Sequence, residues 1–193
     1  MYLKENMYPI VTEKINEYLE SHRKDLDGIY ISGGEPLMHE GVVSFLQYAK
    51  TLNYKIKIHT NGMFYERLKT ILAQKLVDHV SLDIKNAPSA YAKTCGVEDM
   101  DLKDIEKSLD LLKQSVVPYD ICVTLVDELH NQATIEELGE WIQGVDTVIL
   151  QPFEDRETTI DHSLHRPSFK VVLKYKKIFE KYVKHVKIRG DQA

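Results

Sequence analysis

The chain has 193 residues, a formal net charge of −5 and a pI near 5.9, with 43% hydrophobic and 28% charged residues. That composition fits a single globular domain over residues 1–193, and it lacks the basic excess that nucleic acid or an anionic membrane would attract. No apolar run approaches the ~20 residues of a membrane span, the first residues carry no signal-peptide pattern, and the two cysteines, Cys95 and Cys122, form neither a disulfide framework nor a metal-ligand spacing, so a cytoplasmic protein with reduced thiols is expected.

Helical periodicity predicts a first helix over 12–26, with Ile15, Tyr18, Leu19 and Leu26 on one face. A strand over 28–32 follows, then the turn Ser32-Gly33-Gly34-Glu35-Pro36 and a helix over 40–52. Next come a strand at 55–60, a helix at 65–77 and a strand at 79–85. Cys95 falls in a loop before a helix over 102–114, which leads to a strand over 120–126. A helix over 134–143 opens with a capping box from Thr134 to Glu137. The chain closes with a strand at 147–151, a helix at 167–183 and a short tail at 186–189. The lysines of the last helix read as its solvated face.

Strands alternating with helices imply parallel pairing through right-handed crossovers. Each predicted strand is apolar on one face only. Ile29 and Ile31, Ile56 and Ile58, Val80, Leu82 and Ile84, Ile121, Val123 and Leu125, and Val148 and Leu150 share that face. The other carries Tyr30, Ser32, Lys57, His59, Ser81, Asp83, Lys85, Cys122, Thr124, Thr147 and Gln151. A sheet covered on both faces would be apolar on both, and a closed barrel would be packed with Val, Ile and Leu. The pattern therefore predicts an α/β fold: an open, partial TIM-type β/α barrel of five parallel strands, with helices outside and a polar cleft inside.

Ligands of parallel β/α folds bind at the carboxyl ends of strands. Those ends carry Ser32-Gly33-Gly34-Glu35, His59-Thr60-Asn61-Gly62, Ser81-Leu82-Asp83-Ile84-Lys85, Asp127-Glu128-Leu129-His130 and Gln151-Pro152-Phe153. Paired glycines let a backbone approach closely, and Glu35 can meet an amine or a backbone donor. A carboxylate, an ammonium, an imidazole and a Gly-Gly turn on one rim suit a zwitterionic small molecule. Each feature also has a structural reading: a turn at Asn61-Gly62, a hydrogen-bonded core histidine at His59, an ion pair of Asp83 with Lys85, and a small inward-facing hydrophobe at Cys122. Their joint placement on one rim is what those readings leave unexplained.

In this order and spacing, the first three of these motifs resemble the radical S-adenosylmethionine enzymes. The pattern is most similar to activating proteins of glycyl-radical enzymes, of the anaerobic ribonucleoside-triphosphate reductase and pyruvate formate-lyase types. Thr124-Leu125-Val126, Ile149 to Phe153 and Val186 to Gly190 also fit. The resemblance implies a six-stranded partial barrel, S-adenosylmethionine and a [4Fe–4S] cluster as cofactors, a glycyl-radical enzyme as partner, and an electron donor such as flavodoxin or ferredoxin. It implies that Gly33, Gly34 and Glu35 hold the methionine amino group, that His59, Thr60, Asn61 and Ser81 belong to the same pocket, that Asp83 and Lys85 contact methionine or ribose, and that Val123 lies near the adenine. Asp83 and Lys85 are also the candidates for any catalytic role. His59 stands where relatives that activate pyruvate formate-lyase often carry aspartate.

One departure accompanies the match. The family holds its cluster on a Cys-x-x-x-Cys-x-x-Cys loop after its first strand. Residues 1–9 resemble the segment that follows such a loop, so the chain reads as five of the family's six strands, without the first strand and without cluster ligands. Inactivity of this chain alone is expected. Two other classes compete: a β/α-barrel lyase with Lys85 or Lys57 as Schiff-base former and Asp83 beside it, and a non-catalytic module for S-adenosylmethionine binding or partner docking.

Overall fold

The computed structural model of the chain describes residues 12–157, 159 and 161–190. Helices and strands alternate through them as α1 (Thr12–Ser21), β1 (Gly28–Ile31), α2 (Val42–Thr51), β2 (Lys55–Thr60), α3 (Tyr65–Ala73), β3 (His79–Asp83), α4 (Pro88–Cys95), α5 (Lys103–Lys113), β4 (Tyr119–Leu125), α6 (Gln132–Trp141), β5 (Thr147–Pro152), α7 (Phe169–Phe179) and β6 (His185–Ile188). The strands form one parallel sheet in strict chain order, β1 to β6. Each crossover therefore reaches the next neighbour without reversing direction. With right-handed crossovers, that order puts all helices on one side of the sheet. This is the open α/β barrel expected from the alternation, and a doubly wound sheet would need a reversal that is not there.

The strand count differs from the expectation. The tail at 186–189 is a strand, β6, paired with β5 from Thr147↔His185 to Leu150↔Ile188. Four residues with two apolar positions are too short for alternation to separate a strand from a chain end. The described residues thus contain six strands where five were expected. The resemblance of residues 1–9 to a post-cluster segment lies outside the described residues, as does any strand before Thr12.

Local chemistry explains two further differences. The loop expected around Cys95 contains α4, begun by Pro88 in its first turn and ended by Gly96 at φ +71. Helix α6 starts earlier than expected, because Asn131 is its cap. The Asn131 side chain accepts the Thr134 N–H at 3.1 Å, and the Thr134 hydroxyl accepts the Asn131 N–H at 3.1 Å. Glu137 is spent elsewhere, accepting the Ser89 N–H at 2.9 Å at the start of α4.

The core lies between sheet and helices. Ile56, Ile58, Val80, Leu82, Ile121, Val123, Leu125, Val148 and Leu150 are buried against Leu46, Leu68, Ile71, Leu109, Leu138 and Phe179. Each such side chain contributes about 1.5–3 kcal/mol by leaving water. Among the described residues, no helix covers the opposite, concave face, which leaves its polar side chains free to face a cleft. Among the described residues, no helix is long and apolar enough to cross a membrane.

Candidate functional site

The site begins where β1 leaves the sheet. Gly33 has φ +121, a conformation that side chains other than glycine's rarely permit. The turn is braced by Glu35. One carboxylate oxygen accepts the Leu37 N–H at 3.0 Å and the Thr60 hydroxyl at 2.8 Å, and the other accepts the Asn61 N–H at 2.7 Å. Of the two roles open to Glu35 in the sequence, that of backbone acceptor is filled, with the Thr60 hydroxyl beside it. Its carboxylate joins the end of β1 to the end of β2. No backbone or side-chain donor among the described residues reaches the carbonyl oxygens of Gly33 or Gly34. Those oxygens remain available as acceptors.

The next strand ends complete the wall. Ser32, Gly33, Gly34, Glu35, His59, Thr60, Asn61, Asp83 and Lys85 line one cavity of about 260 Å³. Gly62, at φ +79, closes the turn after β2, and its Cβ position lies 2.8 Å from Leu82 Cδ1, so a larger residue would displace the β3 core. Lys85 pairs with the Asp83 carboxylate. His59 accepts or donates to the Tyr30 hydroxyl through Nδ1 at 2.8 Å, and its Nε2 lies 3.9 Å from Asp83. Burial lowers the His59 pKa, assisted by Lys85 and Arg189 and opposed by Asp83. A neutral ring with its proton on Nε2 satisfies both neighbours. A larger cleft of about 760 Å³ adjoins the turn from the side of α1 and α2, lined by Ile15, Val42, Phe45 and Tyr48 among others. The smaller cavity is the stronger candidate, because its charged groups converge on one volume.

Below this rim lies a network that the sequence reading missed. Asp120, buried on β4, takes the Ser81 hydroxyl at 2.6 Å, His79 Nε2 at 2.7 Å and the Lys57 ammonium at 3.2 Å. Burial alone would raise its pKa, but the bonds from Ser81 and His79 and the charge of Lys57 outweigh it and hold the carboxyl below its usual range. The signal was present: Asp120, Cys122 and Thr124 alternate with Ile121, Val123 and Leu125, which puts Asp120 on the polar face.

The other expected residues divide. Thr60 and Asn61 sit at the cavity. Ser81 is fully buried and serves Asp120, away from the rim. The Val123 side chain is fully buried in the core on the helix side of the sheet, so only its backbone can face the cleft. His130 is a structural residue. Nδ1 accepts the Val126 N–H at 3.1 Å, and Nε2 donates to the Lys85 carbonyl at 3.0 Å. Burial lowers its pKa, only partly offset by the Val126 and Lys85 carbonyls, which favour a protonated ring. It thereby fixes the backbone that presents Lys85.

Fit to the implied cofactors differs between them. Free Gly33 and Gly34 carbonyls can accept an ammonium group, and adjacent Asp83 and Lys85 offer both charges to a zwitterion, so the rim suits the methionine end of S-adenosylmethionine. A [4Fe–4S] cluster needs three thiolates from the protein in this family. These 193 residues contain two cysteines. Cys95 ends α4 and is exposed, whereas Cys122 is buried, and burial together with Asp120 pushes its thiol up to about 12. The cluster does not fit the residues present.

The Radical SAM superfamily profile matches residues 2–142. A Methanocaldococcus jannaschii protein whose name provisionally assigns it as a glycyl-radical enzyme activating enzyme is 30% identical over 169 residues, spanning 84% of this chain and 70% of that protein. A domain of the pyruvate-formate lyase-activating enzyme from Bacteroides vulgatus superposes with a TM-score of 0.66 at 19% identity, covering 84% of this chain and 99% of that one. Streptococcus suis SuiB, bound to its precursor peptide SuiA, superposes with a TM-score of 0.75 at 13% identity, covering 100% of this chain and 45% of that one. The chain belongs to the radical SAM superfamily, and it shares that superfamily's open barrel.

Proposed function

We propose that this chain is the S-adenosylmethionine-binding barrel of a glycyl-radical-enzyme activating protein. The observation that carries the reading is the convergence of the Gly33-Gly34 turn, His59, Thr60, Asn61, Asp83 and Lys85 on one cavity. The Gly33 and Gly34 carbonyls would accept the ligand's amino group. Lys85, with its backbone held by His130 and its ammonium by Asp83, would meet the carboxylate or ribose. At about 260 Å³ the cavity suits the amino-acid end of the ligand, with the adenosine extending over the concave face. The relative's name supports a glycyl-radical enzyme as the protein partner.

When bound, a [4Fe–4S] cluster supplies the electron that cleaves S-adenosylmethionine in this family. Its three thiolates are not among these residues, which contain two cysteines. The work of this chain is to bind and orient S-adenosylmethionine and to receive a polypeptide segment. The lyase reading is weaker. A Schiff base needs a free amine, and both candidates, Lys85 and Lys57, are engaged by carboxylates, Asp83 and Asp120.

Two measurements on the purified chain test the proposal together. Equilibrium dialysis should give one S-adenosylmethionine per chain, and anaerobic reconstitution with iron and sulfide should leave no stable [4Fe–4S] absorbance. A stable cluster at full occupancy would overturn the assignment of its ligands, and absence of saturable binding would overturn the proposal itself.

A further inference from the structure

Strand β6 carries positive charge that lies outside the rim at β1 to β3. Val186 and Ile188 pack onto the core, so His185, Lys187 and Arg189 face the concave side. Pairing with β5 sets Lys187 beside Ile149, and the Arg189 N–H extends the ladder to the Leu150 carbonyl at 2.8 Å. The Arg189 guanidinium donates through Nη1 to Gln151 Oε1 at 2.7 Å. That neutral acceptor uses one of five N–H donors and aims the fork, while the Gln151 amide nitrogen remains a donor beside it.

Arg189 also leans over the cleft. In a flat sheet, β2 and β6 would lie about 19 Å apart. Yet the charge of Arg189 acts on His59 of β2 and on Cys122 of β4. The curl of the open barrel accounts for that reach. The remaining concave-face cations are neutralised, Lys57 by Asp120 and Lys85 by Asp83. Among the described residues, no carboxylate lies within ion-pair distance of Lys187 or Arg189. Among the described residues, two cations without a carboxylate partner thus share the concave face of a chain of net charge −5.

We propose that Arg189 and Lys187, with the Gln151 amide, form a carboxylate-binding site that holds the incoming polypeptide segment and so contributes to choosing the substrate. It rests on the proposed function in taking that substrate to be a polypeptide. A planar guanidinium fork matches a carboxylate through two parallel bonds. The carboxylate belongs to an acidic side chain or to a chain terminus.

Titration of the isotope-labelled full chain by nuclear magnetic resonance tests this with three probes: acetyl-Gly-Gly-Glu amide, acetyl-triglycine with a free carboxylate, and acetyl-Gly-Gly-Gln amide. At least one carboxylate probe should bind saturably and about tenfold more tightly than the glutamine probe. The tighter of the two identifies the carboxylate's source. Arg189→Gln should abolish the contrast, Arg189→Lys should restore part of it, and Lys187→Gln should reduce it about two- to threefold. Equal binding of all three probes, or an unchanged contrast in Arg189→Gln, overturns the site. S-adenosylmethionine titrated into the same proteins separates the two ideas. Its binding with no carboxylate contrast sinks only the β6 site, whereas a contrast without S-adenosylmethionine binding sinks the activating-protein reading.

Discussion

The carboxylate of Glu35 accepts the backbone N–H of Asn61 at 2.7 Å, tying the turn after β1 to the turn after β2. Two further donors, Leu37 N–H and the Thr60 hydroxyl, complete its shell. Glu35→Gln places an amide N–H against at least one of these donors. We expect a loss of about 1–3 kcal/mol in urea unfolding, because a bond to a charged group is broken and a donor is stranded. S-adenosylmethionine affinity should fall about tenfold or more even where the variant is fully folded, since the turn loses its brace.

Asp120 sets an acid limit on stability. Its folded pKa is depressed, as is that of Asp78, which Lys50, Lys55 and the Ile56 N–H bring down to about 2 against the cost of burial. A depressed carboxylate contributes stability above its unfolded pKa and loses it as pH falls through the folded value. Unfolding free energy should therefore hold above about pH 5 on account of these groups and fall steeply below about pH 4. Asp120→Asn should flatten part of that slope and cost up to about 3 kcal/mol at neutral pH, at the low end for a broken buried pair because Lys57 and His79 remain partly in water.

Histidine adds a separate, milder limb. His59 and His130 both have folded pKa values lowered by burial. Protonation then favours the unfolded chain, so stability declines as pH drops below about 6.5, well before the carboxylate limb. His130→Gln should remove much of this decline. It should also cost about 1–3 kcal/mol, because the Val126 N–H and the Lys85 carbonyl lose a well-placed partner. Unfolding titrations at pH 5, 6 and 7 would check both.

Thiol chemistry should separate the two cysteines. Cys95 is exposed at the end of α4, and Cys122 is buried with its thiol pushed up to about 12. A thiol-specific reagent at pH 8 should label Cys95 alone in the native chain and both residues in urea, with mass spectrometry locating the label. Native labelling of Cys122 at a comparable rate would contradict the burial.

The barrel was legible because one-sided alternation recurs in every strand from Ile29 to Leu150. From Ile56 to Leu150 those residues are the buried face, with Ile29 and Ile31 partly buried, and their polar neighbours share the concave side. The rim was legible for a similar reason, since small and charged residues cluster at strand ends. What escaped was pairing across strands. Nothing local in the sequence says that Asp120 of β4 gathers Lys57, His79 and Ser81 from β2 and β3, or that Glu35 spends its carboxylate on β2. Registers such as Ser81↔Asp120 set those contacts. His130 looked like a rim imidazole, yet its burial makes it a support for Lys85. Strand β6 was missed for its length, and with it the side of the cleft that holds Arg189.

The most direct test of the central claim is a crystal structure of the chain grown with S-adenosylmethionine. The account expects one ligand at the carboxyl ends of β1 to β3, its amino nitrogen on the Gly33 and Gly34 carbonyls and its charged end beside Asp83 and Lys85. Ligand density elsewhere on the barrel, with this rim left to solvent, would contradict it.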